Sequence, residues 1–149
     1  MNISFDLDGT LIPKEEEFET EKRSRIAKFL GIEKIRKGAR ELIIDLQKHN
    51  HNIHIYTTSF RNKIKIRITL QYYGIRIGRI ITQTENQKKL KIQCISSSKY
   101  PPVFNFDLHI DDSKGVGIES ERYNFKAIII DPTDENWIEN VKNKMKNIA

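Results

Sequence analysis

Short apolar runs that close on Asp or Thr alternate along the chain with longer stretches of helical period. The strand candidates are NISFD (residues 2–6), NIHIYT (52–57), RIIT (79–82), FDLHID (106–111) and KAIIID (126–131). Their β-branched and aromatic content and their length suit buried strands. Between them, GARELIIDLQKHN places Ala39, Leu42, Ile43 and Leu46 at i, i+3, i+4 and i+7, one apolar stripe of an amphipathic helix. NKIKIRITLQYYG has Ile64, Ile68 and Tyr72 at helical spacing, although Ile66 and Leu70 also alternate as in a strand; its length and the terminal Gly74 favour a helix. A last helix is expected from DPTDENWIENV, with Pro132 at its first position and Trp137, Val141 and Met145 lining its core side. Residues 14–37 are less regular: an acidic run, KEEEFETE, leads into SRIAKFLGIEKI, a short helix with Ile26, Phe29 and Leu30 expected inward and Gly31 as its stop.

Strands alternating with helices imply crossover units. The expected fold is therefore α/β: a Rossmann-like three-layer sandwich with a mainly parallel five-stranded sheet, in a single domain over residues 1–149, with 14–37 as a minimal cap or flap. In such sheets ligands bind at the carboxyl ends of the strands, so the polar residues that end these apolar runs converge on one candidate site.

Composition changes this picture little. The 26 Lys and Arg against 20 Asp and Glu give a net charge of +6, which suits a polyanionic partner. Yet Ile outnumbers Val 25 to 3, and Asn and Lys are abundant, as AT-rich coding alone would produce. The basic residues are spread out, with a mild concentration in FRNKIKIRITLQYYGIRIGR (60–79), read as a solvated helix face or a phosphate-tracking surface. Cys94 is the only cysteine, which excludes a disulfide framework or a thiolate zinc site and leaves a lone buried thiol as the expectation. No basic segment followed by an apolar one opens the chain, and no apolar run is long enough to span a membrane. A soluble cytoplasmic protein is expected.

Candidate chemistry lies in the acids. In SFDLDGTLIP, Asp6 and Asp8 end the first strand, and Gly9 and Thr10 let the chain turn there. HIDDS repeats the arrangement with Asp111 and Asp112. Four carboxylates at one sheet end repel unless a cation sits among them, and an all-oxygen donor set favours Mg²⁺. A metal there suggests phosphate chemistry, with one ionised carboxylate as nucleophile and a second as general acid and base. Such a reaction needs donors and a cation for the transferring group. IYTTS supplies Thr57, Thr58 and Ser59 after the second strand, and Lys99 precedes Asp111.

DLDGTL (6–11), IYTTS (55–59), a lysine ahead of the fourth strand and IDDS (110–113), in this order, resemble the haloacid dehalogenase-type phosphatases, Mg²⁺-dependent enzymes that work through an aspartyl phosphate. The resemblance spans essentially the whole chain. It implies that Asp6 attacks phosphorus and that Asp8 protonates the leaving oxygen and then activates water. Asp6, the backbone carbonyl of Asp8, and Asp111 would hold Mg²⁺, with Asp112 ligating directly or through water. Thr57 would bond the phosphoryl group, and Gly9 and Thr10 would shape the turn after the nucleophile. Aspartate at position 8 favours phosphomonoester hydrolysis. Lys99 is the expected phosphate-stabilising lysine, because SSSKYPP forms a loop able to run beside the sheet end; Lys91 is its main rival, with Lys88 and Lys89 at a similar spacing.

The intervals between motifs leave no room for a cap domain, so the site is expected to be nearly open. A small phosphorylated metabolite or nucleotide is the expected substrate. A macromolecule, such as a nucleic-acid end or a phosphoprotein, or a neighbouring subunit would otherwise cover the site, and Arg61 stands where it would meet a second phosphate. Whether the protein is a monomer or a homo-oligomer stays open. A catalytically silent domain that binds a phosphoprotein or another protein is the alternative of a different class. GVGIES (115–120), read as a dinucleotide loop, lacks the third glycine and does not follow the first strand. His49 and His51 fall where a helix ends, which suits positive charge rather than a metal, and His109 is expected to be packed or hydrogen-bonded.

Overall fold

The computed structural model describes residues 1–148. Strands β1 (Asn2–Phe5), β2 (Asn52–Tyr56), β3 (Ile80–Ile81), β4 (Leu108–Asp111) and β5 (Ala127–Ile129) form one sheet in the order β3-β2-β1-β4-β5, parallel at every pairing. Ile3, Ser4 and Phe5 of β1 are each fully buried, as a central strand covered on both faces requires. The connections carry helices α1 (Arg25–Phe29), α2 (Ala39–Lys48), α3 (Lys63–Tyr72), α4 (Gln83–Ile92) and α5 (Lys114–Arg122), and α6 (Trp137–Lys146) follows β5. This is the expected α/β, Rossmann-like three-layer arrangement. No helix among the described residues is long and apolar enough to cross a membrane.

The stripe Ala39, Leu42, Ile43 and Leu46 of α2 is buried as its period predicts, and Trp137, Val141 and Met145 of α6 share the same core. The two helices are neighbours, joined by Lys142 and Asp45 at 2.7 Å. Helix α6 starts at Trp137, however, and not at Pro132. The Asp131 and Asp134 side chains accept from the backbone N–H two residues on, Thr133 at 2.9 Å and Asn136 at 2.8 Å, and these local bonds hold the chain in turns until the helix begins.

Two helices turn the opposite side inward from the one expected. In α3 the buried residues are Ile66, Thr69 and Leu70, while Ile64, Ile68 and Tyr72 are exposed. The segment carries two apolar stripes, and the one that continues into buried Tyr73 and Ile75 reaches the core. In α1 only Ala27 is buried, and Ile26, Phe29 and Leu30 face outward. A helix of five residues presents little more than one turn, and here its small alanine makes the close approach. Cys94 is exposed rather than buried, in a left-handed turn (φ 54°) just past α4. GVGIES lies within α5, capped by Ser113.

The strand order places the site. From β1 the chain proceeds to β2 and β3 on one side, then returns to β4 on the other, so the direction of winding reverses between β1 and β4. A crevice opens at the carboxyl end of such a switch point. Asp6 follows β1 and Asp111 ends β4.

Candidate active site

Asp6 is held at the crevice by the sheet itself: its N–H donates to Ile110 O at 2.9 Å, continuing the β1–β4 ladder to the carboxylate. The chain then closes tightly, with Leu7 O accepting from Leu11 N at 2.9 Å and Ile12 N at 2.7 Å. Gly9 takes φ +81°, and a side chain there would overlap the Asp112 carboxylate, so glycine is required twice over. The buried Thr10 hydroxyl donates to Asp112 Oδ1 at 3.3 Å, joining the first motif to the last.

Lys99 lies between Asp6 and Asp111, its Nζ 2.8 Å from Asp6 Oδ1 and 2.6 Å from Asp111 Oδ2. It is 3% exposed. Its loop is fastened on both sides: Ser98 donates from N and Oγ to Glu119 at 2.7 and 2.6 Å, and Tyr100 N donates to the Tyr56 hydroxyl at 2.9 Å. Lys88, Lys89 and Lys91 instead lie on the solvent side of α4. Glu119 and Tyr56 were not singled out from the sequence, since nothing local marks a helix residue or a strand tyrosine as support for a loop lysine.

His109 is fully buried beneath this pair. Its Nε2 is 2.9 Å from Asp111 Oδ2 and its Nδ1 is 2.9 Å from Ser4 Oγ. Burial and the Lys99 charge push the imidazole pKa down, so the ring is neutral. Nε2 faces the Asp111 carboxylate, which can only accept, while Nδ1 lies against Ser4, 3.2 Å from its carbonyl oxygen. Ser4 and His109 are register partners on β1 and β4, which is why a serine sits in an otherwise apolar strand.

The two carboxylates beside Lys99 are not equivalent. Burial drives both upward. At Asp111 the bond from His109 and the charge of Lys99 outweigh burial, and Ser113 N donates to its other oxygen at 2.8 Å, so its pKa lies well below the usual carboxylate range. At Asp6 burial is the largest influence; Lys99, with a smaller contribution from His109, does not outweigh it and the Asp111 charge, so its pKa is raised. Although Asp6 Oδ1 is within ion-pair distance of Lys99, it receives no aligned hydrogen bond. A buried carboxylate oxygen with unspent acceptor capacity is what a cation would satisfy.

Asp6, Asp111 and Asp112 each offer an oxygen within 4.8 Å of the others. Asp112 is positioned by Thr10 and by Lys14, whose Nζ is 2.7 Å from Oδ2. The donors are all hard oxygens, and three carboxylates face two ammonium groups, so the residues present fit a divalent cation such as Mg²⁺. The Asp8 side chain is not part of this cluster.

Asp8 points instead to Arg61, whose Nη1 donates to Asp8 Oδ2 at 2.7 Å while Nε donates to both Glu33 oxygens at 3.1 Å. These bonds raise the guanidinium pKa further, so Arg61 is a permanent cation here. Thr57 is buried at the end of β2, its Oγ1 accepting from Ser59 N at 3.1 Å; Ser59 Oγ in turn accepts from Arg61 N at 3.1 Å and Nη1 at 3.0 Å. Thr58 is exposed.

Residues 14–37 reach the site only at their edges. Glu19 and Lys37, and Glu21 and Ile35, pair along the backbone at 2.8 and 2.9 Å, and Arg36 N donates to Leu11 O at 2.7 Å, which pins the segment beside the sheet. Lys14 and Glu33 are its contributions to the carboxylate end. A concavity of about 730 Å³ beside it is lined by Phe18, Arg36 and Trp137 among others and by none of Asp6, Asp8 and Asp111. No protein-family model matches the chain, and the curated proteins contain no match to it.

Proposed function

We propose that the protein is a Mg²⁺-dependent phosphomonoester hydrolase that works through an aspartyl phosphate. The observation that carries this reading is the buried, under-bonded Asp6 carboxylate flanked by Lys99, Asp111 and Asp112 at the switch point of the sheet. The motif resemblance points the same way. In the first half-reaction an Asp6 oxygen forms a bond to phosphorus while the bond from phosphorus to the ester oxygen breaks, and Asp8 gives its proton to that oxygen. In the second, a water oxygen attacks phosphorus, its proton passes to Asp8, and the acyl phosphate bond breaks to return Asp6 as a carboxylate. Asp6, Asp111, Asp112 and the Asp8 carbonyl would hold Mg²⁺, which would supply charge neutralisation for the phosphoryl oxygens. Lys99 and the Thr57 hydroxyl contribute further positive charge and a donor to the same oxygens. A phosphorylated metabolite or nucleotide is the broad substrate class.

The test is hydrolysis of p-nitrophenyl phosphate with and without Mg²⁺, by wild type and Asp6→Asn. Turnover that needs Mg²⁺ and vanishes in the variant is expected. Full turnover in Asp6→Asn would sink the covalent route, and binding without turnover in the wild type would favour a catalytically silent phosphate-binding domain.

A further inference from the structure

Outward-facing apolar side chains lie along both α1 and α3 and the turns beside them. Ile26 and Phe29 of α1, Leu30 just after it, Phe60 in the turn before α3, and Ile64 and Ile68 of α3 are each at least half exposed, Phe29 at 90% and Phe60 at 75%. Leu30, Ile64 and Ile68 border a groove of about 360 Å³ between the two helices. The two helical segments are tied together, with Tyr73 OH donating to Glu33 O and Ser24 N donating to Tyr72 OH, each at 3.0 Å. The surface also adjoins the site: Phe60 immediately precedes Arg61, which holds Asp8 and Glu33.

Its helices carry cations and no acid, with Glu33 and Glu85 at the margins paired to Arg61 and Lys63. Neither α1 (RIAKF) nor α3 (KIKIRITLQY) contains an acidic residue, and Arg25, Lys28 and Lys65 are exposed among the apolar side chains. Exposed apolar side chains gathered around a groove mark an interaction site. A second copy meeting it about a two-fold axis would bring the same cations face to face, which is unfavourable. Aromatic and apolar faces interleaved with cations match the combination that single-stranded nucleic acids use, with bases on the flat side chains and phosphates on the lysines and arginines.

We infer that the α1–α3 surface binds a single-stranded nucleic acid whose terminal phosphate enters the Asp6 site. The strand's place on the surface stands on the surface alone; the entry of its terminal phosphate rests on the phosphatase reading above. That narrows the substrate class from phosphomonoesters at large to phosphorylated ends of a strand, with Arg61 at the junction between the two.

The experiment is fluorescence anisotropy of a labelled, unphosphorylated oligothymidylate against Asp6→Asn protein, with phosphate release from 5′- and 3′-phosphorylated oligothymidylate and from p-nitrophenyl phosphate measured on the catalytically intact protein. Binding that weakens steeply with salt is expected, and Phe60→Ala and the double variant Lys28→Glu/Lys65→Glu each weaken it at least tenfold. The same changes lower oligonucleotide turnover at least tenfold relative to aryl phosphate turnover. All three positions are exposed, so circular dichroism and melting stay unchanged. No binding at low salt, binding that the variants leave intact, or equal affinity for polyglutamate overturns the inference. So does a wild-type dimer, seen by sedimentation, that Ile64→Lys dissociates, since the surface is then the self-interface. Strand binding with no phosphate release from any substrate removes the phosphatase reading, and with it the terminal-phosphate clause, and keeps the strand site.

Discussion

Arg61 donates to the Asp8 carboxylate at 2.7 Å while Glu33 holds the other edge of the same guanidinium. The fork geometry fixes Asp8 about its side-chain torsions, and a lysine cannot reproduce it. Asp8 is thereby aimed by residues from two distant parts of the chain, one just after β2 and the other past α1. Because a displacement of about 1 Å in a catalytic group costs up to roughly 100-fold, Arg61→Ala and Arg61→Lys are expected to lower kcat for p-nitrophenyl phosphate by about 10- to 100-fold. Glu33→Gln retains most of the positioning and loses less. Asp8→Asn, which removes the proton donor itself, is expected to cost about 10²- to 10⁴-fold. Equal rates in wild type and Arg61→Lys would show that the fork does not position Asp8.

Lys99 balances two buried acids, and its removal leaves Asp6 without its ion-pair partner and Asp111 with only the His109 and Ser113 bonds. Breaking a buried ion pair in this way costs about 3–5 kcal/mol, so Lys99→Met is expected to lower the unfolding free energy by that order in chelator. Mg²⁺ brings positive charge to Asp6 and Asp111 and recovers part of the loss by binding only the folded state. Denaturant melts of both proteins in chelator and in Mg²⁺ read this directly. A Lys99→Met protein as stable as wild type in chelator would mean that the acids are already neutral.

The sheet and the site's components were legible because both rest on local pattern. Apolar runs that end in acids announce strands whose carboxyl ends meet, and DLDGTL and IDDS bring Asp6 and Asp111 to the switch point by strand order alone. Lys99 was legible from its place in a proline-bounded loop. Contacts that depend on which face a helix turns were not. In α3 two stripes of nearly equal hydropathy compete, and only the packing of Tyr73 and Ile75 decides between them. Nothing local marks Lys14 in the acidic run or Glu33 after Gly31, because their roles come from Asp112 and Arg61, far away in sequence. His109 was expected to be packed or hydrogen-bonded and is both, yet its partner Ser4 is visible only once β1 and β4 are known to pair.

The acid side of the stability profile follows from the opposite shifts of Asp111 and Asp6. Asp111 titrates below its usual 3.8 in the folded protein. Its ionised form therefore adds stability above the unfolded value, and that stability is lost as pH falls through the usual carboxylate range toward the depressed folded value. Asp6 titrates above its usual 3.8 and works against this: its ionisation costs stability as pH rises, and protonation relieves the cost. Asp111→Asn is therefore expected to flatten the loss of stability between about pH 5 and 2, and Asp6→Asn to steepen it. Denaturant midpoints across that range measure both slopes. Parallel profiles for the two variants would remove the distinction between the acids.

Gly9 offers a test of the metal site that leaves every ligand in place. Its φ of +81° is strained for any residue with a side chain, at about 1–3 kcal/mol. The added methyl would also overlap the Asp112 carboxylate, with Asp112 Cγ only 2.7 Å and Lys14 Nζ 2.8 Å away. Lys14 is a flexible surface side chain that can swing aside, whereas Asp112 is tethered to Thr10, so relief of the overlap moves Asp112 out of the oxygen cluster. Gly9→Ala is therefore expected to weaken Mg²⁺ binding at least tenfold by isothermal titration and to lower stability by about 1–3 kcal/mol in chelator. Asp112→Asn, which removes charge without strain, is expected to weaken Mg²⁺ without that loss of stability. Undiminished Mg²⁺ affinity in both variants would place the ion on Asp6 and Asp111 alone and leave Asp112 as a structural anchor for the turn after β1.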